Sequence, residues 1–405
     1  MKFLHIADLH LGQRHMQLET RYNDFFETLR QIFEHAHKEQ VDFIIICGDM
    51  FDKKQLDAES LLRTVALLKE LQTKGIAVFA IEGNHDQRLF AEHNSFLDYL
   101  SQETLLTLLR PTIQDGKEHI SSWDEKTRTG AQYTFSKGSE EVMLTGIGYI
   151  TSSIQEEKLH MLTESLPKEH TSPHIVLMHG SVGGGIPGSI DKELLKPLQK
   201  HIDYLALGHW HRKMEIDGWI CNPGSMEHTD INRDDISKGY FIVELTKEKK
   251  EVCFYESGKR PAVRLTITLQ DTHTLEDALL TITEHLACSL PHSTEDIMCK
   301  ITVKGHVNFH PLELTKKHIE DIIRKTTPLL FLEFENILYT GSFIIEEDLR
   351  MEDLSSEQLE KEIIQHLLTH SSEFQEETDL LQRTIHIKQG LLRKEDPVSI
   401  LSLLE

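Results

Sequence analysis

Five short segments of the sequence carry side chains that could bind metal ions. They supply carboxylates, one amide and five imidazoles but no thiolate, and they are Asp8-Leu9-His10, Gly48-Asp49-Met50-Phe51-Asp52, Gly83-Asn84-His85-Asp86, His179-Gly180 and Gly208-His209-Trp210-His211. A mixed set of oxygen and nitrogen donors suits Mn²⁺, Fe²⁺ or Zn²⁺ better than Ca²⁺ or a cysteine-type zinc site. The residue types therefore indicate a site for such ions.

Each segment follows a stretch that is typical of a buried β-strand in an α/β fold. Apolar runs predict strands at 2–7, 41–47, 76–81, 142–147, 174–178 and 204–207, and apolar residues at helical spacing predict helices at 22–36 and 61–71. The polar stretch 113–141 is expected to form a surface hairpin or excursion. Because ligands of α/β sheets bind at the carboxyl ends of strands, the five segments can converge on one crevice.

Each segment taken alone also has a simpler interpretation. A single Asp-x-His or His-x-His pair is more often a surface or core accident than a pair of ligands, and the chain has 25 histidines. Gly-Asn-His-Asp alone fits a turn, because Gly, Asn and Asp all favour turns. The prediction of a metal site depends on all five segments occurring in order at strand ends.

In that order the segments resemble the motifs of the calcineurin-like metallophosphoesterase superfamily. The residues within these motifs are similar to those of one branch, the SbcD-type nuclease subunits of double-strand-break repair. This similarity extends to Leu11-Gly12 and to Asn222-Pro223-Gly224-Ser225. The motifs cover residues 1 to about 245, and the remainder agrees only in layout. The resemblance implies an α/β metallophosphoesterase fold, in which two β-sheets are sandwiched between helices.

The resemblance also implies a role for each candidate residue. Two divalent ions would share Asp49, and their other ligands would be Asp8, His10 and His211 for the first ion and Asn84, His179 and His209 for the second. Mn²⁺ is the ion expected first, with Fe²⁺ or Zn²⁺ as alternatives. His85 would face the scissile phosphate as a catalytic residue, and Asp86 would orient His85 by a hydrogen bond. Asp52 is interpreted as a turn residue or as a residue behind the ligands.

The net charge of −23 argues against a protein that binds DNA with its own surface, because such surfaces are usually basic. Two divalent ions beside Asp8 and Asp49 would leave the site itself net positive even in an acidic protein. A partner protein could supply the remaining basic surface.

Three domains are predicted. Residues 1–258 form the metallophosphoesterase nuclease domain, and a polar stretch at 256–261 separates it from a small βαβαβ capping domain at 262–342, with strands at 264–269, 296–303 and 329–338 and helices at 275–286 and 315–323. A helical tail at 350–405 follows, in which Leu359, Ile363 and Leu367 are four residues apart. The resemblance implies that this tail binds the coiled-coil base of an SMC-like ATPase of the SbcC type. The alternative is that its apolar stripe packs on this chain's own domains.

The predicted function is two-metal-dependent cleavage of DNA phosphodiesters in DNA repair, as a duplex exonuclease and a single-strand or hairpin endonuclease. Two alternatives stay open: a metallophosphoesterase acting on small-molecule phosphoesters, and a catalytically silent interaction subunit.

The sequence also predicts that the protein is cytoplasmic and associated with the nucleoid. Five scattered cysteines indicate reduced thiols, and the chain has no apolar run long enough to span a membrane and no signal-peptide layout. A homodimer is expected from the resemblance alone. The apolar stripe at 22–36 is a candidate for its interface and equally a candidate for a core face.

Overall fold

The computed structural model describes residues 1–88, 94–167, 172–183, 188–232, 237–291 and 295–340, and the isolated residues 383, 385, 387 and 388. The chain divides into two compact units, Met1–Thr340 and Gly341–Glu405. All helices and strands with described bounds lie in the first unit. The predicted tail at 350–405 lies, apart from those four residues, outside the described residues.

The first unit is an α/β structure whose strands are mostly short. In chain order the strands are β1 (Lys2–Ile6), β2 (Phe43–Cys47), β3 (Ala77–Ile81), β4 (Thr107–Leu108), β5 (Thr112–Gln114), β6 (Lys117–His119), β7 (Gln132–Lys137), β8 (Glu140–Tyr149), β9 (His174–His179), β10 (Tyr204–Gly208), β11 (Met214–Ile216), β12 (Ile220–Asn222), β13 (Gly239–Leu245), β14 (Lys250–Glu256), β15 (Ala262–Thr272), β16 (Ile297–Val307) and β17 (Leu329–Tyr339). The α-helices are α1 (Glu19–Lys38), α2 (Ala58–Thr73), α3 (Phe96–Gln102), α4 (Gln155–Ser165), α5 (Lys192–Leu195), α6 (Leu275–Ser289) and α7 (Lys316–Ile323).

Two six-stranded sheets form the body of residues 1–256. Their strand orders are β14-β13-β1-β2-β3-β4 and β11-β12-β10-β9-β8-β7. Strands β1 to β4 are mutually parallel, as are β8, β9, β10 and β12, whereas β7, β11, β13 and β14 pair antiparallel with their neighbours. The parallel strands of each sheet therefore present their carboxyl ends at one edge.

The strand sequences explain the layers, because successive side chains point to opposite faces of a sheet. In β1, Phe3 belongs to a core that also contains Leu177 and Ala206 of the second sheet, so the two sheets pack face to face. Leu4 and Ile6 point the other way into a core with α1 and α2. A third core joins the second sheet to α4 and α5. The predicted fold, two sheets sandwiched between helices, is confirmed.

The apolar stripe at 22–36 is the inner face of α1. Its residues are at most 4% exposed, and they are Tyr22, Phe25, Phe26, Leu29, Ile32, Phe33 and Ala36. The interpretation of this stripe as a dimer interface is therefore wrong, because the first sheet and α2 already cover it. The predicted excursion at 113–141 contains the hairpin of β5 and β6, but it also contains β7, the edge strand of the second sheet.

Residues 262–339 form a three-stranded parallel sheet, ordered β15-β16-β17, with α6 and α7 packed into a hydrophobic core of its own. Each predicted strand and helix of this segment is present. Polar contacts join it to the preceding residues. The Arg260 guanidinium lies 2.6 Å from both carboxylate oxygens of Asp24 in α1 and donates to the carbonyl of Asp296 at 2.7 Å, and Asn232 donates to Glu333 in β17 at 2.9 Å. None of the described helices is long and apolar enough to cross a membrane.

Candidate metal centre

The predicted ligands all lie at the carboxyl edge of the two sheets. The segments that carry them leave β1, β2, β3, β9 and β10 in turn, and these residues are Asp8, His10, Asp49, Asn84, His179, His209 and His211. Asp8, His10, Asp49 and His179 are at most 3% exposed. Parallel pairing aligns the strand ends within each sheet, and the packing of the two sheets face to face brings together residues that lie up to about two hundred positions apart in the chain.

The backbone at this edge is strained at four of the seven candidate ligands. Asp8, His10, Asp49 and His209 have φ angles of 53°, 44°, 51° and 85°, in the left-handed region that side-chain-bearing residues rarely adopt. Each such residue costs about 1–3 kcal/mol and persists only where the surroundings impose it. The left-handed backbone turns the chain immediately after each strand, so that these side chains lie at the shared edge of the sheets.

Two glycines let the ligands approach one another. Gly48, with φ of 85°, lies so close to β9 of the second sheet that an added Cβ would lie 2.3 Å from Nδ1 of His179. At Gly83 an added Cβ would lie 2.1 Å from Oδ1 of Asp49. Only glycine fits at either position with the ligands in place.

The first group of donors comprises Asp8, His10 and His211. Nε2 of His10 and Nε2 of His211 face each other at 3.1 Å, and Nε2 of His211 lies 4.0 Å from Oδ1 of Asp8. Nε2 of His10 is 3.9 Å from Oδ2 of Asp49. Ligands that are each about 2.1 Å from one ion lie roughly 3–3.4 Å apart, so these donors are close to the spacing that an ion requires.

The second group comprises Asp49, Asn84, His179 and His209. Nε2 of His179 lies 3.3 Å from Oδ2 of Asp49 and 3.2 Å from Oδ1 of Asn84. Nδ1 of His209 lies 3.0 Å from the same Asn84 oxygen. Oδ2 of Asp49 thus borders both groups, and the donor set fits two divalent ions that share this carboxylate.

Groups behind the ligands fix which imidazole nitrogen faces the site. Nδ1 of His179 lies 2.7 Å from the carbonyl oxygen of Cys47, and Nδ1 of His211 lies 2.7 Å from Oγ1 of Thr229. An acceptor at Nδ1 keeps the proton there and leaves Nε2 free to bind an ion. The sequence contained no signal for Thr229, which becomes a neighbour of His211 only through the fold.

The Asn222-Pro223-Gly224-Ser225 motif holds the histidine loop by its backbone. The Asn222 side chain donates to the carbonyl of Trp210 at 2.7 Å. The fully buried Lys238 ammonium donates to the carbonyl of His211 at 3.0 Å and to Oγ of Ser225 at 2.8 Å. The motif and Lys238 therefore position His209 and His211.

Asp49 and His179, both in the second group, shift each other's pKa. Burial raises the pKa of Asp49, but the charge of His179 and its hydrogen bond outweigh burial, so the pKa lies below its ordinary value. Burial lowers the pKa of His179, and the Asp49 carboxylate outweighs this and raises it to about 9. The pKa of His209 is lowered, first by burial and then by the charge of His179. A cation bound there would have to displace the His179 proton.

His85 lies beside the ligands, but Asp86 does not orient it. Nδ1 of His85 is 2.6 Å from the carbonyl oxygen of Asp52, and the His85 amide donates to Oδ1 of Asp49 at 2.9 Å. The carboxylate of Asp86 turns inward and accepts from the amides of Met50, Phe51 and Gly83 at 3.0, 2.9 and 3.2 Å.

The expected hydrogen bond from Asp86 to His85 is therefore wrong. The Asp86 carboxylate, which is 5% exposed, is instead the acceptor for the backbone amides of the loops after β2 and β3. Burial, followed by the charge of Asp49, raises the pKa of Asp86 to about 7. Asp86 is a positioning residue that ties the loop after β2 to the loop after β3, rather than a catalytic residue.

Tyr149 is a further site residue that the motifs do not reveal. It ends β8, and its ring centroid lies 5.9 Å from that of His179 and 5.4 Å from that of His209. The register of β8 shifts between Gly146 and Gly148, where Gly148 has φ of 68°. Such bulges re-aim side chains next to active sites. The glycine pair was the one available signal.

The match to a known family agrees with this geometry. The model for the family described as calcineurin-like phosphoesterase matches residues 1–213. The chain therefore belongs to the calcineurin-like phosphoesterase family, whose members' dependence on divalent metals agrees with the donor groups at the strand ends.

Curated relatives share the printed name DNA double-strand break repair protein Mre11. The one from Methanopyrus kandleri is 26% identical over 260 residues, which are 61% of this chain and 54% of the relative. The one from Saccharolobus solfataricus is 27% identical over 299 residues, 71% of this chain and 70% of the relative. The one from Archaeoglobus fulgidus is 28% identical over 265 residues, 60% and 57%. The chain thus spans between about half and seven-tenths of the length of these relatives.

Proposed function

We propose that the chain is a two-metal DNA nuclease that hydrolyses phosphodiester bonds in DNA repair. The observation that carries the proposal is the meeting of two donor groups at Oδ2 of Asp49, with the His85 imidazole beside them. Membership of the phosphoesterase family supports the reaction class. The spelling of the motifs and the relatives' names support DNA as the substrate.

The site divides into a metal-binding part and a part that faces substrate. When bound, two divalent ions supply positive charge at the phosphate and lower the pKa of an attacking water. Asp8, His10 and His211 would hold one of them with Asp49, which is shared with the second. Asn84, His179 and His209 complete the second set. Mn²⁺ is the ion proposed from the resemblance, and the carboxylate and amide oxygens suit it; the imidazoles also suit Fe²⁺ or Zn²⁺, which remain the alternatives.

We propose that His85 acts on the phosphate. The carbonyl of Asp52 can only accept a hydrogen bond, so Nδ1 of His85 carries a proton and Nε2 is left for substrate. In the protonated ring, Nε2 can donate a hydrogen bond or a proton to the leaving oxygen. The amide of His85, bonded to Asp49, fixes this ring relative to the shared ligand.

Digestion of end-labelled linear duplex DNA in Mn²⁺ tests the proposal directly. The wild-type chain should release nucleotides, and His85→Ala should lose the cleavage while keeping its bound Mn²⁺. His119→Ala, an exposed histidine on β6, is the matched control and should cleave like the wild type. Cleavage of a chromogenic phosphodiester without any cleavage of duplex, single-stranded or hairpin DNA would refute the DNA assignment. Fewer than one titratable Mn²⁺ per chain would instead support a silent interaction subunit.

The partners form a second part of the proposal. We infer that residues 350–405 bind an SMC-like coiled-coil ATPase and that the chain acts as a homodimer. Support comes from the order of segments that resembles SbcD-type subunits and from the net charge of residues 346–405, which have 6 Lys/Arg and 15 Asp/Glu and would suit a basic partner. Combined exonuclease and single-strand endonuclease activity is proposed on the same resemblance.

Deletion of residues 350–405 tests the docking role. The shortened chain should lose binding to the ATPase and keep metal-dependent cleavage of single-stranded DNA. Native affinity of the shortened chain for the ATPase, measured by titration, would refute docking through this segment. Sedimentation of the full chain measures the proposed homodimer independently.

A further inference from the structure

We propose that Asp52 is a positioning residue that holds two functional histidines at once, His85 through its backbone carbonyl and His10 through its carboxylate. The proposal deepens the proposed nuclease function and rests on it. Asp52 thereby couples the residue that faces the phosphate to a ligand of the first ion.

The backbone of Asp52 is fixed by the loop that follows β1. Its amide donates to the carbonyl of Leu11 at 3.1 Å, and the preceding Phe51, 2% exposed, forms a β-bridge with Leu11. The loops after β1 and β2 are thus joined side by side at this position. The carbonyl of Asp52 therefore has a set direction that does not depend on its side chain.

That carbonyl determines the orientation of His85. It accepts from Nδ1 of His85 at 2.6 Å, so the ring cannot rotate without breaking this bond. The His85 ring also stands at 85° to the ring of His10, with 5.0 Å between their centroids. The two histidines are therefore neighbours, and both border Asp52.

The carboxylate of Asp52 lies next to the open nitrogen of His10. Nε2 of His10 faces His211 and Asp49, whereas its Nδ1 is buried and has no hydrogen-bond partner among the described residues. Oδ1 of Asp52 lies 3.6 Å from this Nδ1. No hydrogen bond of the Asp52 carboxylate to another group occurs in the described part of the chain.

Metal binding would give these two groups a reason to meet. A ligand nitrogen must be unprotonated, so binding through Nε2 places the proton of His10 on Nδ1. A buried N–H without an acceptor is unfavourable, and the nearest carboxylate is Asp52. Closing the gap by about 0.8 Å would make a charge-assisted hydrogen bond. Such carboxylate–histidine pairs fix the ring and raise the basicity of the ligand.

One competing role for Asp52 comes from the same cluster. Donor atoms of His10, Asp52 and His85 all lie within 4.8 Å of one another, so Asp52 could instead be a ligand of a further cation. Because Nδ1 of His85 is engaged by the Asp52 carbonyl, such an ion could take only Nε2 of His85, the nitrogen proposed to face the phosphate. The number of Mn²⁺ ions bound per chain separates the two roles.

Titration of the metal-stripped full chain with Mn²⁺, followed by electron paramagnetic resonance of the free ion, measures the role of the carboxylate. Asp52→Asn keeps the backbone carbonyl and the shape of the side chain but removes the charge. We expect the wild type to bind two ions and the variant to bind one of them about 10–100-fold more weakly. Asp115→Asn, in the exposed turn between β5 and β6, makes the same change of charge and should bind as the wild type does.

DNA cleavage provides the second readout. Excess Mn²⁺ should restore cleavage by Asp52→Asn, because its His85 is still held, and should not restore cleavage by His85→Ala. Two Mn²⁺ affinities within twofold of the wild type in Asp52→Asn would overturn the proposal. Three ions in the wild type, one of them lost in the variant, would overturn it in favour of a ligand role. If Asp52→Asn does not fold, Asp52→Ser serves in the same titration.

A failure of the nuclease assignment would be visible separately. If the wild type cleaves no DNA, the nuclease proposal fails while the Mn²⁺ affinities still decide whether Asp52 supports His10. If the wild type cleaves DNA and the affinities do not change, only the role of Asp52 fails.

Discussion

Residues 1–256 and residues 262–339 both contain parallel strands, but the backbone and the side chains at the carboxyl ends of these strands differ between the two regions. In residues 1–256 the strand ends lead into left-handed backbone at Asp8, His10, Asp49 and His209 and into three groups of clustered donors. In the described residues of 262–339, no side-chain-bearing residue has a positive φ angle and no donor group is found. Both regions contain parallel strands with apolar cores.

The difference shows that parallel strands alone do not make a site. Residues 262–339 have no side-chain-bearing residue with left-handed backbone among their described positions, so their sequence serves mainly to pack one core. The edge of the first two sheets instead combines left-handed backbone with buried carboxylates, and the strain costs stability, as does any buried carboxylate that lacks partners. Such features persist where function requires them, and matched substitutions in the two regions can test this.

The largest expected effect comes from adding one methyl group at Gly83. In Gly83→Ala the Cβ would lie 2.1 Å from Oδ1 of Asp49, so the shared ligand must move. We expect at least about a 100-fold loss of cleavage, because misplacement of about 1 Å at a reacting centre has that effect. Titration with Mn²⁺ should show both affinities weakened.

Gly305→Ala is the matched change in the three-stranded sheet of residues 262–339. Gly305 has φ of 122°, and its Cβ would lie 1.9 Å from the carbonyl oxygen of Leu269. This variant should lower the melting temperature, with a cost of about 2–4 kcal/mol, but leave Mn²⁺ affinity intact. Equal loss of metal binding in both variants would show that the two regions are not independent.

An intermediate effect is expected for Asp86→Asn. The two carboxylate oxygens accept three backbone amides, and an amide group would oppose at least one of these donors with its own N–H. Urea denaturation should show a loss of about 2–3 kcal/mol, with weaker cleavage because both ligand loops are loosened. Asp277→Asn, in the exposed first turn of α6, should lose less than about 1 kcal/mol. A stable, fully active Asp86→Asn would contradict the positioning role of this carboxylate.

The sequence was most informative where strands are apolar throughout. The strands that carry the ligands are mostly apolar, although His5 lies within β1 and His174 begins β9, and periodicity identified every strand and α-helix of residues 262–339 to within a few residues. It did not reveal the antiparallel pairing of β1 with β13, in which Lys2 faces Glu244, because such pairing depends on residues far apart in the chain. The same reason hid the neighbours of the ligands: Asp86 turns inward, Thr229 reaches His211, and a bulge aims Tyr149 at the site.

The smallest effect is expected for Tyr149→Phe. Tyr149 is half-buried, and its hydroxyl has no hydrogen-bond partner in the described residues, so it is available to a phosphate oxygen. Loss of one such bond should raise KM for DNA by about tenfold or less, with Mn²⁺ affinity unchanged. Tyr339→Phe is the matched control, because Tyr339 also ends a parallel strand, β17, and none of the donor groups found among the described residues lies there.

The two tyrosine variants compare the two regions by removing the same atom, the hydroxyl oxygen, from one strand end in each. If Tyr149→Phe raises KM and Tyr339→Phe does not, a strand end acquires function through its neighbours His179 and His209 rather than through its own residue type. If Tyr149→Phe instead weakens Mn²⁺ binding, the hydroxyl supports the ligands and does not contact substrate. Unchanged kinetics and unchanged metal binding would show that the bulge at Gly148 serves packing of the ring against the two histidines, with no part for the hydroxyl.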